Sequence, residues 1–187
     1  MKLGLVGAGA IARSQHLPVI DEHPNVDLVA VATRDGTVDG VPIYGSLGEM
    51  LAAHEDIEAV SLCVPPVPRF ELAREAIAKG RHVFLEKPPG TTLSEAKTLA
   101  DAADEADVVL FASWHSRYAP AVETLKTRLE HTTIKTVRVT WKEDVRQWHP
   151  GQTWIWQPGG FGVFDPGINA LSILTHVLPS FRLVSSV

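Results

Sequence analysis

The tightest constraint on this chain is Gly7-Ala8-Gly9-Ala10-Ile11-Ala12, which follows directly on the apolar run 2–6. A strand that ends in two glycines one residue apart and then enters a helix has few ways to fold. Gly7 permits the tight turn, Gly9 lets the backbone approach a ligand, and Ala12 is small enough for close helix–strand packing. Residues 2–6 read as a buried strand. Residues 10–21 carry apolar side chains at helical spacing and stop before His23-Pro24-Asn25, and 26–33 read as a second strand. This is a βαβ unit. The helix N-terminus behind such a turn offers unpaired N–H groups and partial positive charge to a pyrophosphate. Gly7, Gly9, Ala10 and Ile11 are therefore expected to bind a dinucleotide. A glycine-rich turn without a ligand is the alternative that the motif alone leaves open.

The rhythm continues. Residues 41–44 read as a strand, 46–53 as a helix, and 57–64 as a strand stopped by Pro65-Pro66. A helix over 68–79 is closed by Gly80, and a strand over 82–86 is stopped by Pro88-Pro89. The helix at 94–106 is capped by Ser94, or by Thr92 with Glu95 three residues on, and 107–114 is another strand. Alternation of this kind predicts the α/β class, a doubly wound parallel Rossmann sheet. After Ala119-Pro120 the pattern changes to a helix at 121–130 and an alternating strand at 134–144. That strand sets Val137, Val139, Trp141 and Glu143 on one side, and Arg138, Thr140 and Lys142 on the other. An aromatic and glycine-rich stretch (147–162), a helix (165–178) and an apolar segment (181–187) follow. The expected division is a dinucleotide-binding Rossmann domain at 1–118 and a partial α+β open-sheet domain, for substrate and oligomerisation, at 119–187. One strand and one helix cannot bury a sheet face, so the second domain reads as truncated or as completed by another chain.

Composition narrows the function classes. The 187 residues are 45% apolar and 21% charged, ordinary for a globular protein. A net charge of −5 with no basic tract argues against nucleic acid. No apolar run approaches the roughly 20 residues that span a bilayer. The single cysteine, Cys63, lies in the apolar run 60–64. It excludes an intrachain disulfide and a cysteine-based zinc cluster, and it fits a reducing cytoplasm. Lys2 and the apolar and small residues after it imitate a signal peptide, but they make a better strand–turn–helix. No compact metal-binding signature is present, and no metal is expected.

The end of the second strand bears on the cofactor. Arg34 can pair with a 2′-phosphate and stack on adenine, and Thr33 can add a hydroxyl bond. NADP is expected, with NAD as a second choice; a solvated loop charge is the competing reading of Arg34. Pro65 and Glu86, at later strand ends, join the expected cofactor contacts together with Lys87. Lys87 stands at the carboxyl edge of the sheet, where α/β ligands bind. Pro88 holds it extended and can take a cis peptide bond. Partly desolvated and near the positive nicotinamide, Lys87 would have a lowered pKa and could orient a substrate hydroxyl or relay its proton. Otherwise it is a solvated strand end.

Asp165 and Asn169, four apart, share one helix face and can meet a pair of polyol hydroxyls. The competing use of an Asp before Pro166 is to cap the helix. All five tryptophans lie between 114 and 156. Flat apolar faces beside carboxylates and amides suit a sugar; core or interface packing is the other use. His115, Glu143, Trp148, His149, Asp165 and Asn169 are the candidate substrate contacts, and Lys87, Asp165 and Asn169 the candidate catalytic residues.

These motifs resemble the family that includes glucose–fructose oxidoreductase and inositol dehydrogenase. Its members carry an N-terminal glycine fingerprint, a Glu-Lys-Pro motif and a Gly-Gly…Asp…His helix motif, here with Asn169 in place of the histidine. Residues 114–117, 141–156 and 159–173 are similar to its galactose and arabinose 1-dehydrogenase branch, which shares that asparagine. The resemblance spans essentially the whole chain. It implies oxidation of an aldopyranose (D-galactose or L-arabinose type) at the anomeric carbon to a lactone, with Lys87, Asp165 and Asn169 around the reacting carbon. Without the histidine, Asp165 is expected to accept the proton and Lys87 to orient. The resemblance also implies a second domain that continues past 187 and can pair into a homo-oligomer. A dinucleotide-bound sensor without catalysis is the rival from another class, and oxidation of a different sugar hydroxyl the lesser enzymatic rival.

Overall fold

Six parallel strands are arranged in the order β3-β2-β1-β4-β5-β6: β1 (Lys2–Val6), β2 (Asp27–Ala32), β3 (Ile43–Tyr44), β4 (Ala59–Leu62), β5 (His82–Glu86) and β6 (Leu110–Ser113). The computed structural model describes residues 1–182 and 184–185. Of the apolar segment expected at 181–187, Leu183, Ser186 and Val187 lie outside the described residues. Two compact units are present, Met1–Ser113 and Trp114–Val187, so the chain divides slightly before the expected boundary near 118.

In the first unit the strands alternate faces. Val6, Ala30, Ala32, Val60, Leu62, Val83 and Leu85 face a core completed by α2 (Leu47–Ala53), α3 (Pro66–Ala78) and α4 (Leu93–Glu105). Leu5 and Val31 face the other way, against Ala12 and the helix α1 (Leu17–Glu22). Helices on both faces of a parallel sheet make this a doubly wound Rossmann fold. Local chemistry explains the helix ends. Ser46 caps α2 by accepting from the Glu49 N–H, and Thr92, not Ser94, caps α4 by accepting from the Glu95 N–H. At the end of α3, the Gly80 and Arg81 N–H groups bond back to the carbonyls of Ile77 and Ala76. This helix starts at Pro66 rather than at 68, because a proline is well accommodated at the first helical position.

Helix entry after the glycine turn departs from expectation. Ala12–His16 winds as a π turn ahead of α1, and the Leu17 N–H reaches back to the Ala12 carbonyl.

The second unit holds a short 3₁₀ turn (His115–Tyr118), α5 (Val122–Glu130), α6 (Val145–Trp148), a second 3₁₀ turn (Thr153–Trp156) and α7 (Phe164–Val177). The strand expected at 134–144 is not formed. Residues 133–144 run without regular structure, and Val137, Val139 and Trp141 are exposed. Alternation supplies a sided surface, but a strand also needs a neighbour to take its N–H and C=O groups. Among the described residues of this unit there is no strand to pair with.

Candidate active site

Sheet order places the topological switch point between β1 and β4, the crevice where open α/β sheets bind ligands. Gly7 sits there with φ +89°. A Cβ on Gly7 would lie 2.8 Å from Val64 Cγ1 and 3.0 Å from the Cys63 carbonyl oxygen, so the turn passes too close to the end of β4 for any side chain. A Cβ on Gly9 would meet nothing within 4 Å. That open side is what a pyrophosphate cradle requires. Ala10 and Ile11 open the helix behind it and are exposed. Pro65 stands at the N-cap of α3, half-buried at the same crevice edge. The Thr33 hydroxyl accepts from the Ala8 N–H (3.4 Å) and donates to the Asp35 carbonyl (2.9 Å), tying the glycine turn to the loop after β2. Arg34 is exposed on that loop, and Arg13 steadies it through a 2.9 Å bond to the Thr37 carbonyl.

Lys87 follows β5, half-buried, and its peptide bond to Pro88 is cis. Two residues that sequence reasoning missed hold this corner. Arg69 on α3, 3% exposed, donates to the carbonyls of Glu86 (2.7 Å), Pro88 and Val64. His16, at the end of the π turn, meets Glu86 Oε1 through Nε2 at 2.7 Å and Ser61 Oγ through Nδ1 at 3.1 Å. The carboxylate of Glu86, one of the expected cofactor contacts, is thus engaged by His16. Burial opposes charge on both partners. For His16, hydrogen bonds to Cys63 and Glu86 outweigh that burial and raise its pKa to about 9. For Glu86, the hydrogen bond and positive charge of His16 outweigh burial and lower its pKa.

This pair fixes a pH dependence. A raised histidine contributes fully below its ordinary value of 6.5, and the contribution is lost as pH climbs through about 9. The depressed Glu86 works oppositely, its contribution lost as pH falls through its lowered pKa. The melting temperature of His16→Gln should therefore lie below that of the parent at pH 6.5, with the gap closing by about pH 10. A gap independent of pH across that window would show that the imidazolium is not formed.

In the second unit, α7 begins at Phe164 with Val163 as N-cap and no side-chain cap bond. Asp165 therefore lies inside the first turn and is not the cap. Its carboxylate is 6% exposed and meets His149 Nε2 at 3.1 Å; Asn169, one turn on, is 7% exposed. His149 is braced from behind. Its Nδ1 lies 3.1 Å from Gln152 Oε1, and that oxygen also accepts from Trp154 Nε1–H at 3.0 Å. Gln152 Oε1 thus accepts from both the indole and Nδ1–H, and Nε2 faces Asp165. Trp154 further meets the His149 ring edge-on at 5.5 Å.

The loop 159–162 explains how the helix is aimed. A Cβ on Gly160 would lie 2.0 Å from the Trp154 carbonyl oxygen, so this backbone crossing admits only glycine. Other expected contacts lie outside the Asp165–His149–Gln152–Trp154 group. Glu143 accepts from Trp141 Nε1–H at 2.5 Å, and His115 and Trp148 are exposed. A cavity of about 310 Å3 is lined instead by Trp114, Arg117, Ile168, Leu171, Ser172 and Thr175. Among the described residues, no group of three or more His, Cys, Asp or Glu could hold a metal ion. No helix among them is long and apolar enough to cross a membrane.

Comparison with known proteins agrees with this fold. The oxidoreductase family with an NAD-binding Rossmann fold matches residues 1–113, and the chain belongs to that family, the one to which the glycine fingerprint and Glu86-Lys87-Pro88 pointed. Galactose 1-dehydrogenase of Pseudomonas fluorescens is 49% identical over 186 residues, which cover 100% of this chain and 60% of the relative. The crystal structure of D-galactose-1-dehydrogenase from Rhizobium etli is 61% identical with a TM-score of 0.89, covering 95% of this chain and 58% of that one. GenD2 from gentamicin A biosynthesis, solved in complex with NAD, is 30% identical with a TM-score of 0.65, covering 70% of this chain and 39% of that one. The chain thus spans about three-fifths of the length of the galactose dehydrogenases it matches.

Proposed function

We propose that this chain, within a polypeptide of the length of its relatives, oxidises an aldopyranose of the D-galactose or L-arabinose type at C1 to the sugar lactone. NADP is the preferred oxidant, and the reaction is cytoplasmic. The observation that carries the reading is the buried Asp165 carboxylate, paired with His149 and followed one turn later by Asn169. A carboxylate kept from solvent beside a histidine is equipped to take a proton and pass it on. The support for a sugar comes from the galactose dehydrogenases that share this sequence.

When bound, the nicotinamide dinucleotide supplies the hydride acceptor. The chain does the rest. Backbone amides at Gly7–Ala10 hold the pyrophosphate, and Lys87 donates a hydrogen bond to the anomeric oxygen. Asp165 accepts that oxygen's proton as the C1–H bond breaks and C1=O forms. His149 Nε2 then takes the proton from Asp165, and Asn169 orients the neighbouring hydroxyl.

A panel of aldoses tested on the full-length protein, with absorbance at 340 nm and identification of the product, tests the reading. Lactone formation from galactose or arabinose is expected. Tight NADP binding with no turnover on any aldose would favour the sensor. The cofactor preference has its own test. Arg34→Ala should raise the KM for NADP by about tenfold or more and that for NAD far less, since the pairing with the 2′-phosphate is lost with NADP alone while stacking on adenine is lost with both. Equal effects on both would remove Arg34 from that role.

A further inference from the structure

His16 links the pyrophosphate turn to the lysine corner, and the sequence motifs leave it without a function. Its ring rides on the π turn, a helix defect that recurs at functional sites. Its side chain and that of Glu86 are only 11% and 13% exposed. Ser61 from β4 meets Nδ1, and Phe84 from β5 meets the ring edge-on at 5.6 Å. Cys63, just after β4, places its Sγ 3.7 Å from the same Ser61 Oγ. Arg69 from α3 holds the Glu86 carbonyl. Glu86 directly precedes Lys87. Replacing a buried ion pair by apolar side chains of similar volume is often neutral for stability. Beyond its share in stability, the pair ties the glycine-turn helix to the residue that precedes Lys87.

We infer that His16 is a positioning residue: it anchors Glu86 to the pyrophosphate-binding helix and so fixes where Lys87 stands relative to the bound dinucleotide. The inference rests on the reading of Lys87 given under the proposed function. Displacement of a catalytic group by about 1 Å can lower a rate by about a hundredfold, so the device needs only small movements to matter.

The test uses His16→Gln and Glu86→Gln in the full-length protein, with Lys87→Ala in parallel. Three quantities are measured: the NADPH dissociation constant by fluorescence, kcat per folded enzyme on galactose, and the melting temperature. Both Gln variants should lose about tenfold or more in kcat, keep the NADPH dissociation constant within about threefold, and lose no more when combined than the worse one alone. A merely structural pair would lower the melting temperature and leave kcat within about twofold of the parent, and that result overturns the inference. Loss of NADPH affinity in step with kcat overturns it too, because His16 or Glu86 would then be a cofactor contact. If His16→Gln does not fold, Glu86→Gln decides alone, since it preserves the shape of the corner. Lys87→Ala separates the two claims. Full rate in that variant removes the reading of Lys87 and the inference with it. A dead Lys87→Ala beside a fully active His16→Gln removes the inference alone.

Discussion

Lys87→Ala in the full-length protein should cut turnover by about 10³-fold or more while dinucleotide affinity stays within about threefold. The expectation follows from placement. Lys87 stands at the carboxyl end of β5, after a carboxylate held by His16 and before a peptide whose carbonyl Arg69 holds. The pyrophosphate is to be held by the backbone amides of the glycine turn, so binding and chemistry should separate. Steady-state kinetics on galactose, with fluorescence titration of NADPH on the same preparation, measure both. Retention of the parental rate would falsify the assignment of Lys87 to the reacting centre.

The second large effect belongs to Asp165. Asp165→Asn keeps the size and the contact with His149 but removes the proton acceptor, and kcat should fall by about 10²–10⁴-fold. The KM for sugar should change far less, because an amide still accepts and donates hydrogen bonds to hydroxyls. His149→Gln should fall between the parent and Asp165→Asn, since it removes only the onward relay. If Asp165→Asn turns over at the rate of the parent, the proton leaves by another route.

Much of this was legible in the sequence, for definite reasons. The strand–glycine–helix passage at 2–21 and the alternation that follows constrain the backbone locally, so the parallel sheet could be read in order. The Asp165 and Asn169 spacing fixes a shared helix face whatever surrounds it. What could not be read depends on partners far along the chain. Arg69 leads a buried stripe that continues through Ala73, Ala76 and Ile77. An arginine at the head of such a stripe signals that carbonyls must lie nearby, but not that they belong to Glu86 and Pro88. His16 shows no sign of its role, because a π turn leaves no local pattern and its partners stand 45 and 70 residues on. The stretch 134–144 failed for the complementary reason: alternation describes one strand, while a sheet is a property of at least two.

The π turn carries an evolutionary corollary. One surplus residue is absorbed between the pyrophosphate loop and the histidine, and each residue along a regular helix rotates its side chain by about 100°. A homologue lacking that surplus would keep an intact fingerprint yet swing its imidazole off the carboxylate. Single-residue deletions across 12–16 should therefore be far less tolerated than substitutions there, and loop-length variation among relatives should avoid this stretch.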